Sequence, residues 1–147
     1  NGSSGRRLFQ WLEQAGWGEQ AFRTTQYMTA VTKCYPGKSP GGKGDRVPTR
    51  AEQELCAPFL DQELALVCPS VIVPVGGLAI RRFLGARRLA DVVGRVLRLE
   101  DGRWAVPLPH PSGASLWLNR PENQARVERA LAQIRQLCRE LGIGAVG

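Results

Sequence analysis

The stretch Leu108-Pro-His110-Pro-Ser112-Gly-Ala-Ser-Leu-Trp117 decides how this chain reads. It holds the only histidine and lies between a strand-like run, residues 104–108, and a helix that begins near Asn119. A strand feeding a rigid Pro/Gly turn that opens into a helix is where open α/β sheets carry their ligand chemistry. Pro109 and Pro111 fix φ on both sides of His110, so a stiff backbone holds the imidazole. Ser112 and Gly113 add a hydroxyl and a backbone that a phosphate can approach closely. Taken without its neighbours, the same loop is an ordinary proline turn carrying a surface histidine.

Upstream of the loop, residues 96–99 and 104–108 bracket Asp101-Gly102, a strong hairpin signal. Residues 70–75 (SVIVPV) are almost continuously apolar, as in a strand covered on both faces, and Gly76-Gly77 turns the chain into a short helix, 78–84. Residues 89–93 read as a further helical turn. Thr49-Arg-Ala-Glu52 is a capping box, opening a helix to about Val67 with Leu55, Phe59, Leu60 and Leu64 facing inward. Pro58 is expected to bend that helix or to separate its first turns. Residues 27–33 (YMTAVTK) read as a buried strand, and 6–16 as an amphipathic helix ended by Gly16. The Gly/Pro-rich segment 34–48 between them carries Lys38, Lys43 and Arg46 and reads as irregular. Downstream, Asn119-Arg-Pro-Glu122 reads as a second cap, before Val127, Leu131, Ile134, Cys138 and Leu141 at helical spacing. Strands alternating with helices predict an α/β domain with a mostly parallel sheet.

With 147 residues, the chain is long enough for one domain with a real core. Its net charge is +7, arginine far outnumbers lysine, and such a balance favours a polyanion, nucleic acid before an acidic protein. No apolar run approaches the ~20 residues of a membrane span, and no signal-peptide pattern is visible. Cys34, Cys56, Cys68 and Cys138 are widely spaced, with no C-x-x-C pair, which favours a cytoplasmic protein over a disulfide framework. The start at Asn1-Gly-Ser-Ser-Gly5 reads as a mid-domain glycine loop or as linker residue. Arg81-Arg82 and Arg87-Arg88 flank a short helix, as a track for a nucleic-acid backbone or as a solvated face. Arg120, beside a helix amino terminus, suits a phosphate better.

The order of these segments resembles the uracil-DNA glycosylase superfamily, and most closely its iron–sulfur, family 4 branch. Tyr27-Met-Thr-Ala-Val-Thr-Lys-Cys34 is similar to that branch's strand ending in "NVVKC". Thr49-Arg-Ala-Glu-Gln-Glu-Leu-Cys56, then Ser70-Val-Ile-Val-Pro-Val-Gly-Gly-Leu-Ala79, is similar to its helix–strand segment, and His110-Pro-Ser112 to the superfamily's carboxy-terminal loop. The resemblance implies a three-layer α/β/α sandwich around a central, mostly parallel four-stranded sheet. It also implies a single domain over residues 1–147, truncated at the amino terminus, with the first strand absent. The implied protein is a monomeric DNA glycosylase of base excision repair, nucleoid-associated, that hydrolyses the N-glycosidic bond of uracil or a related deaminated base.

Such an enzyme takes the base out of the stack and needs a pocket, a phosphate grip and a wedge. The resemblance places His110 against the base, where it stabilises charge developing on O2. Ser112, Gly113, Ser115 and Arg120 are then the phosphate grip, and Leu116 or Trp117 the wedge, Trp117 being equally readable as a core anchor. Cys34 and Cys56 match two of the four ligands of a structural 4Fe–4S cluster, while Cys68 and Cys138 read as small core residues. Two departures stand out. The family's first motif, which positions water at the sugar, is absent. Its base-reading asparagine falls on Ala30 in the base pocket, which has no amide to match uracil. Hence the second reading is a non-catalytic nucleic-acid-binding module of the same fold.

Overall fold

A computed structural model describes residues 2–144. In chain order these form α1 (Ser3–Gln14), α2 (Glu19–Thr25), α3 (Arg50–Val67), β1 (Val71–Ile72), α4 (Gly77–Leu84) and α5 (Leu89–Val92). There follow β2 (Leu97–Arg98), β3 (Trp104–Ala105), a 3-10 turn (Leu116–Asn119) and α6 (Pro121–Glu140). The architecture is mixed α/β, and its residues gather into two compact units: Met28–Pro69, and the described residues on either side of that segment. Among the described residues no helix is long and apolar enough to cross a membrane.

In the unit that carries the histidine, α1 packs against both α2 and α6. Phe9, Leu12, Val127, Leu131 and Ile134 join Ile80, Val92, Val106 and Leu108 in one core. The end of α1 shows how a glycine fixes a corner. Gly16 takes φ +97, its N–H bonds Glu13 and the Trp17 N–H bonds Leu12. This is the paired capping bond of a Schellman motif, and it turns Trp17 back into the core. Phe22 on α2 then meets the Phe9 and Trp17 rings edge-on, with centroids 6.1 and 5.8 Å apart. The sequence reading missed α2, because Phe22 is the one large apolar residue its seven positions offer.

The sheet has the order β1-β3-β2. β1 runs parallel to β3, and β2 runs antiparallel to it across the Asp101-Gly102 turn. Among the described residues it is therefore a mixed, three-stranded sheet with one parallel and one antiparallel pair, consistent with the α/β class expected. The parallel ladder reaches further than the two-residue strands suggest. The N–H groups of Trp104, Val106 and Leu108 donate to the carbonyls of Ser70, Ile72 and Pro74, and Gly76 N–H returns to Leu108 O. Pro74 and Pro107 lack N–H groups, which shortens the formal strands without breaking the run.

Residues 27–33 form no strand. Tyr27 and Met28 are exposed, Thr29 Oγ1 donates to Glu63 at 2.6 Å, and Lys33 pairs with the same carboxylate. β-branched composition makes a strand only where a partner edge and a packing face exist, and here side chains tie the segment to α3 instead. The Thr49–Glu52 capping box is formed as read, and α3 runs uninterrupted through Pro58 to Val67. Its buried face is narrow, holding Cys56 and Leu60, while Leu55 and Phe59, expected inward, are exposed. Cys68, expected in the core, is also exposed and caps α3 at φ +48. Cys138 is buried as expected, and that burial pushes its thiol up.

In the 34–48 segment, Lys38 pairs with Asp45 across a small antiparallel bridge. Arg46 holds Glu52 through both guanidinium arms, at 3.0 and 2.7 Å. That guanidinium, with the Thr49 N–H, lowers the Glu52 carboxyl to about 2 from an ordinary value of 4.5. Ionised Glu52 thus contributes stability that is fully present above about pH 4.5 and is lost as the pH falls towards 2. The carboxylate is partly open to solvent, and screening keeps the gain small. Glu52→Gln is expected to lower the melting temperature by a few degrees at neutral pH. The deficit should close on acidification through that window, as followed by circular dichroism. An unchanged neutral-pH melting temperature would remove Glu52 from the account of how α3 starts.

Candidate functional site

His110 stands where the parallel ladder ends. Leu108 is locked by its bonds to Pro74 and Gly76, and Pro107, Leu108 and Pro109 are all fully buried. The chain emerges at His110, which is exposed, and dips again at Pro111. Within the loop, Ser112 N–H donates to His110 Nδ1 at 3.1 Å. A ring nitrogen that accepts an N–H carries no proton, so the imidazole hydrogen sits on Nε2. His110 therefore offers one fixed donor outward from an anchored backbone.

Two neighbours of that loop escaped the sequence reading. Gly76 adopts φ +86, ψ 165, a region open in practice only to glycine. A Cβ there would lie 3.3 Å from His110 Cδ2 and 3.5 Å from His110 Cβ. The Gly76-Gly77 pair is thus more than a tight turn, since a side chain on its first member would crowd the imidazole. Arg7, on α1, donates Nη1 to the carbonyls of Pro111 and Ser112 at 3.3 and 3.4 Å. No local pattern connects residues 7 and 112, and only the packing of α1 brings them together.

Gly76→Ala is expected to cost about 1–3 kcal/mol for the backbone conformation alone, and to displace the imidazole as well. Gly77→Ala is the control, because a Cβ at 77 meets nothing within 4 Å. Urea unfolding of the two variants separates them. Equal, small losses would show that a side chain at residue 76 is accommodated beside His110.

Beyond His110, Ser112 and Ser115 are half-buried and Gly113 is exposed. A Cβ at Gly113 would meet nothing within 4 Å, so the backbone at this position is open to approach. Ser115 N–H donates to Ser112 O at 3.3 Å, closing the turn. Leu116 is 78% exposed, whereas Trp117 packs against the core and its carbonyl accepts from Asn123 Nδ2 at 2.8 Å. Of the two wedge candidates only Leu116 stands free. The expected cap at Asn119–Glu122 is not formed. Arg120 is the N-cap, without a side-chain bond, and Pro121 opens α6, where a missing N–H costs nothing. Arg120 itself is exposed.

Ala30, Cys34 and Cys56 belong to the other unit. Ala30 is exposed, and its carbonyl accepts from Lys33 Nζ at 2.7 Å. Cys56 is buried and Cys34 exposed. Lys33 N–H approaches Cys56 Sγ at 3.5 Å, so Cys34 follows directly on the residue that touches this sulfur. Backbone N–H groups aimed at sulfur suit ligating thiolates. Among the described residues no group of three or more carboxylates, imidazoles or thiols is gathered that could hold a metal ion.

The Uracil DNA glycosylase superfamily profile matches residues 1–135. The chain belongs to that superfamily. Its relatives include type-4 uracil-DNA glycosylases. That of Thermotoga maritima is 29% identical over 113 residues, covering 76% of this chain and 54% of the relative. That of Archaeoglobus fulgidus is 29% identical over 147 residues, covering 93% and 66%. That of Pyrobaculum aerophilum is 30% identical over 99 residues, covering 64% and 45%. The chain thus spans between about half and two thirds of the length of these relatives. The family 4 affinity read from the sequence agrees with them.

Proposed function

We propose that the protein is a DNA glycosylase of base excision repair, acting on uracil or a related deaminated base in DNA, with the three-layer α/β/α sandwich of its superfamily. The observation that carries this reading is the state in which His110 is held. As the bond between C1′ and N1 lengthens, its electron pair moves onto the base and charge gathers on O2. The Nε2–H of His110 is a preorganised donor for that charge, and such donors are usually a large part of catalysis. Water adds its oxygen at C1′ and gives up one proton, which ends on the departing base, so the products are the free base and an abasic sugar.

Ser112, Gly113, Ser115 and Arg120 are assigned the phosphate beside the extruded nucleotide, through hydroxyls, open backbone and a free-standing guanidinium. Leu116 fills the gap in the stack. Ala30 takes the place of the base-reading amide, so discrimination against cytosine must come from other groups. Cys34 and Cys56 are assigned as two ligands of a 4Fe–4S cluster that staples the chain and does no bond chemistry.

The second reading, a binding module without excision, is favoured by one observation, the methyl side chain at Ala30. The two separate in one assay. The intact protein is incubated with single-stranded oligonucleotides carrying uracil, hypoxanthine or xanthine, and free base is measured. Release of any of them supports the enzyme. Binding of all three with release of none establishes the module.

A further inference from the structure

Arg7 and the His110 loop are joined by a geometry that sequence similarity does not explain. The Pro111 carbonyl and the Ser112 N–H belong to one peptide unit, which is planar and rigid. Arg7 Nη1 holds its oxygen end at 3.3 Å, and its N–H end donates to His110 Nδ1 at 3.1 Å. Fixing one end of a plane fixes the direction of the other. The next plane is held too, since Ser112 O receives both Arg7 Nη1 at 3.4 Å and Ser115 N–H at 3.3 Å. Both peptide planes that flank Ser112 are thereby tied to α1, across more than a hundred residues of chain.

We infer that Arg7 is a positioning residue for His110: by holding the Pro111–Ser112 peptide plane it aims the Ser112 N–H at Nδ1 and so keeps the imidazole proton on Nε2. Arginine suits the task because its donors are fixed in a plane and stay charged at every relevant pH. Lysine at the same place offers a point charge that can satisfy one carbonyl while releasing the other. The inference rests on the proposed role of His110 for its functional meaning, but the tautomer it predicts is observable without any reaction.

The test uses the intact protein with 15N-labelled histidine, and Arg7→Met and Arg7→Lys beside the parent. His110 is the only histidine of the sequence, and the His110→Gln spectrum identifies its signal. The parent should show one neutral tautomer with the proton on Nε2, Arg7→Met a mixture of the two, and Arg7→Lys an intermediate pattern. Where base release is measurable, Arg7→Met should lower the single-turnover rate by about 10- to 100-fold, the scale of a small misplacement of a reacting group. Its DNA affinity should change less than the rate does. If both variants keep the parental 15N pattern, Arg7 does not position His110. Failure to release any base, with the tautomer shift present, would overturn the glycosylase reading and leave the positioning role standing.

Discussion

Replacing His110 with alanine is expected to slow base release by about 10²–10³-fold, the loss that follows removal of one preorganised donor to a developing anion. The physical ground is that the protein has already fixed the ring before the substrate arrives. Pro109 and Pro111 are buried on either side, the absence of a side chain at Gly76 leaves the ring its room, and Ser112 N–H occupies Nδ1. A fixed donor needs no reorganisation when charge forms, and this is what distinguishes it from water filling the same space. The substitution should spare the fold, since the imidazole is exposed and, among the described residues, its hydrogen bond lies within its own loop. Melting temperature and DNA affinity should therefore stay close to the parent's while the rate collapses. A rate within a few-fold of the parent would remove His110 from the chemistry and with it the main support for the glycosylase reading.

What could be read in advance was local. The Thr49–Glu52 capping box depends on residues three apart, and the Asp101-Gly102 hairpin on a two-residue turn, so both were visible in the string. The His110 loop was legible for the same reason, because its prolines act on their own neighbours. Residues 27–33 misled, since β-branched side chains report a liking for a partnered sheet, and here Thr29 and Lys33 are satisfied by Glu63. The contacts that qualify the site lie between distant parts of the chain. Gly76 meets His110 only because the parallel ladder aligns residue 76 with residue 108, and Arg7 reaches Ser112 only because α1 packs beside α6. A Gly-Gly pair and an Arg-Arg pair are each too common to announce such roles.

Leu108→Ala should be the most damaging single truncation for stability near the site, at about 2–5 kcal/mol by the behaviour of buried leucines elsewhere. Leu108 is fully buried, its side chain belongs to the main core, and both of its backbone groups are engaged by the neighbouring ladder. Buried Pro107 and Pro109 flank it, and rigid rings on both sides leave the chain little freedom to collapse into the space vacated. For a chain of this length such a loss lowers the melting temperature by roughly 5–15 °C. Leu66→Ala is the comparison, since Leu66 is 85% exposed and truncation there should change little. The backbone bonds of residue 108 survive the substitution, so the His110 loop should remain docked, and base release measured well below the melting point should fall far less than in His110→Ala. A rate that collapses in Leu108→Ala while stability holds would mean that residue 108 acts on the site directly. The expected pattern, stability lost and rate largely kept, would show that residue 108 serves the site only by holding the loop in place.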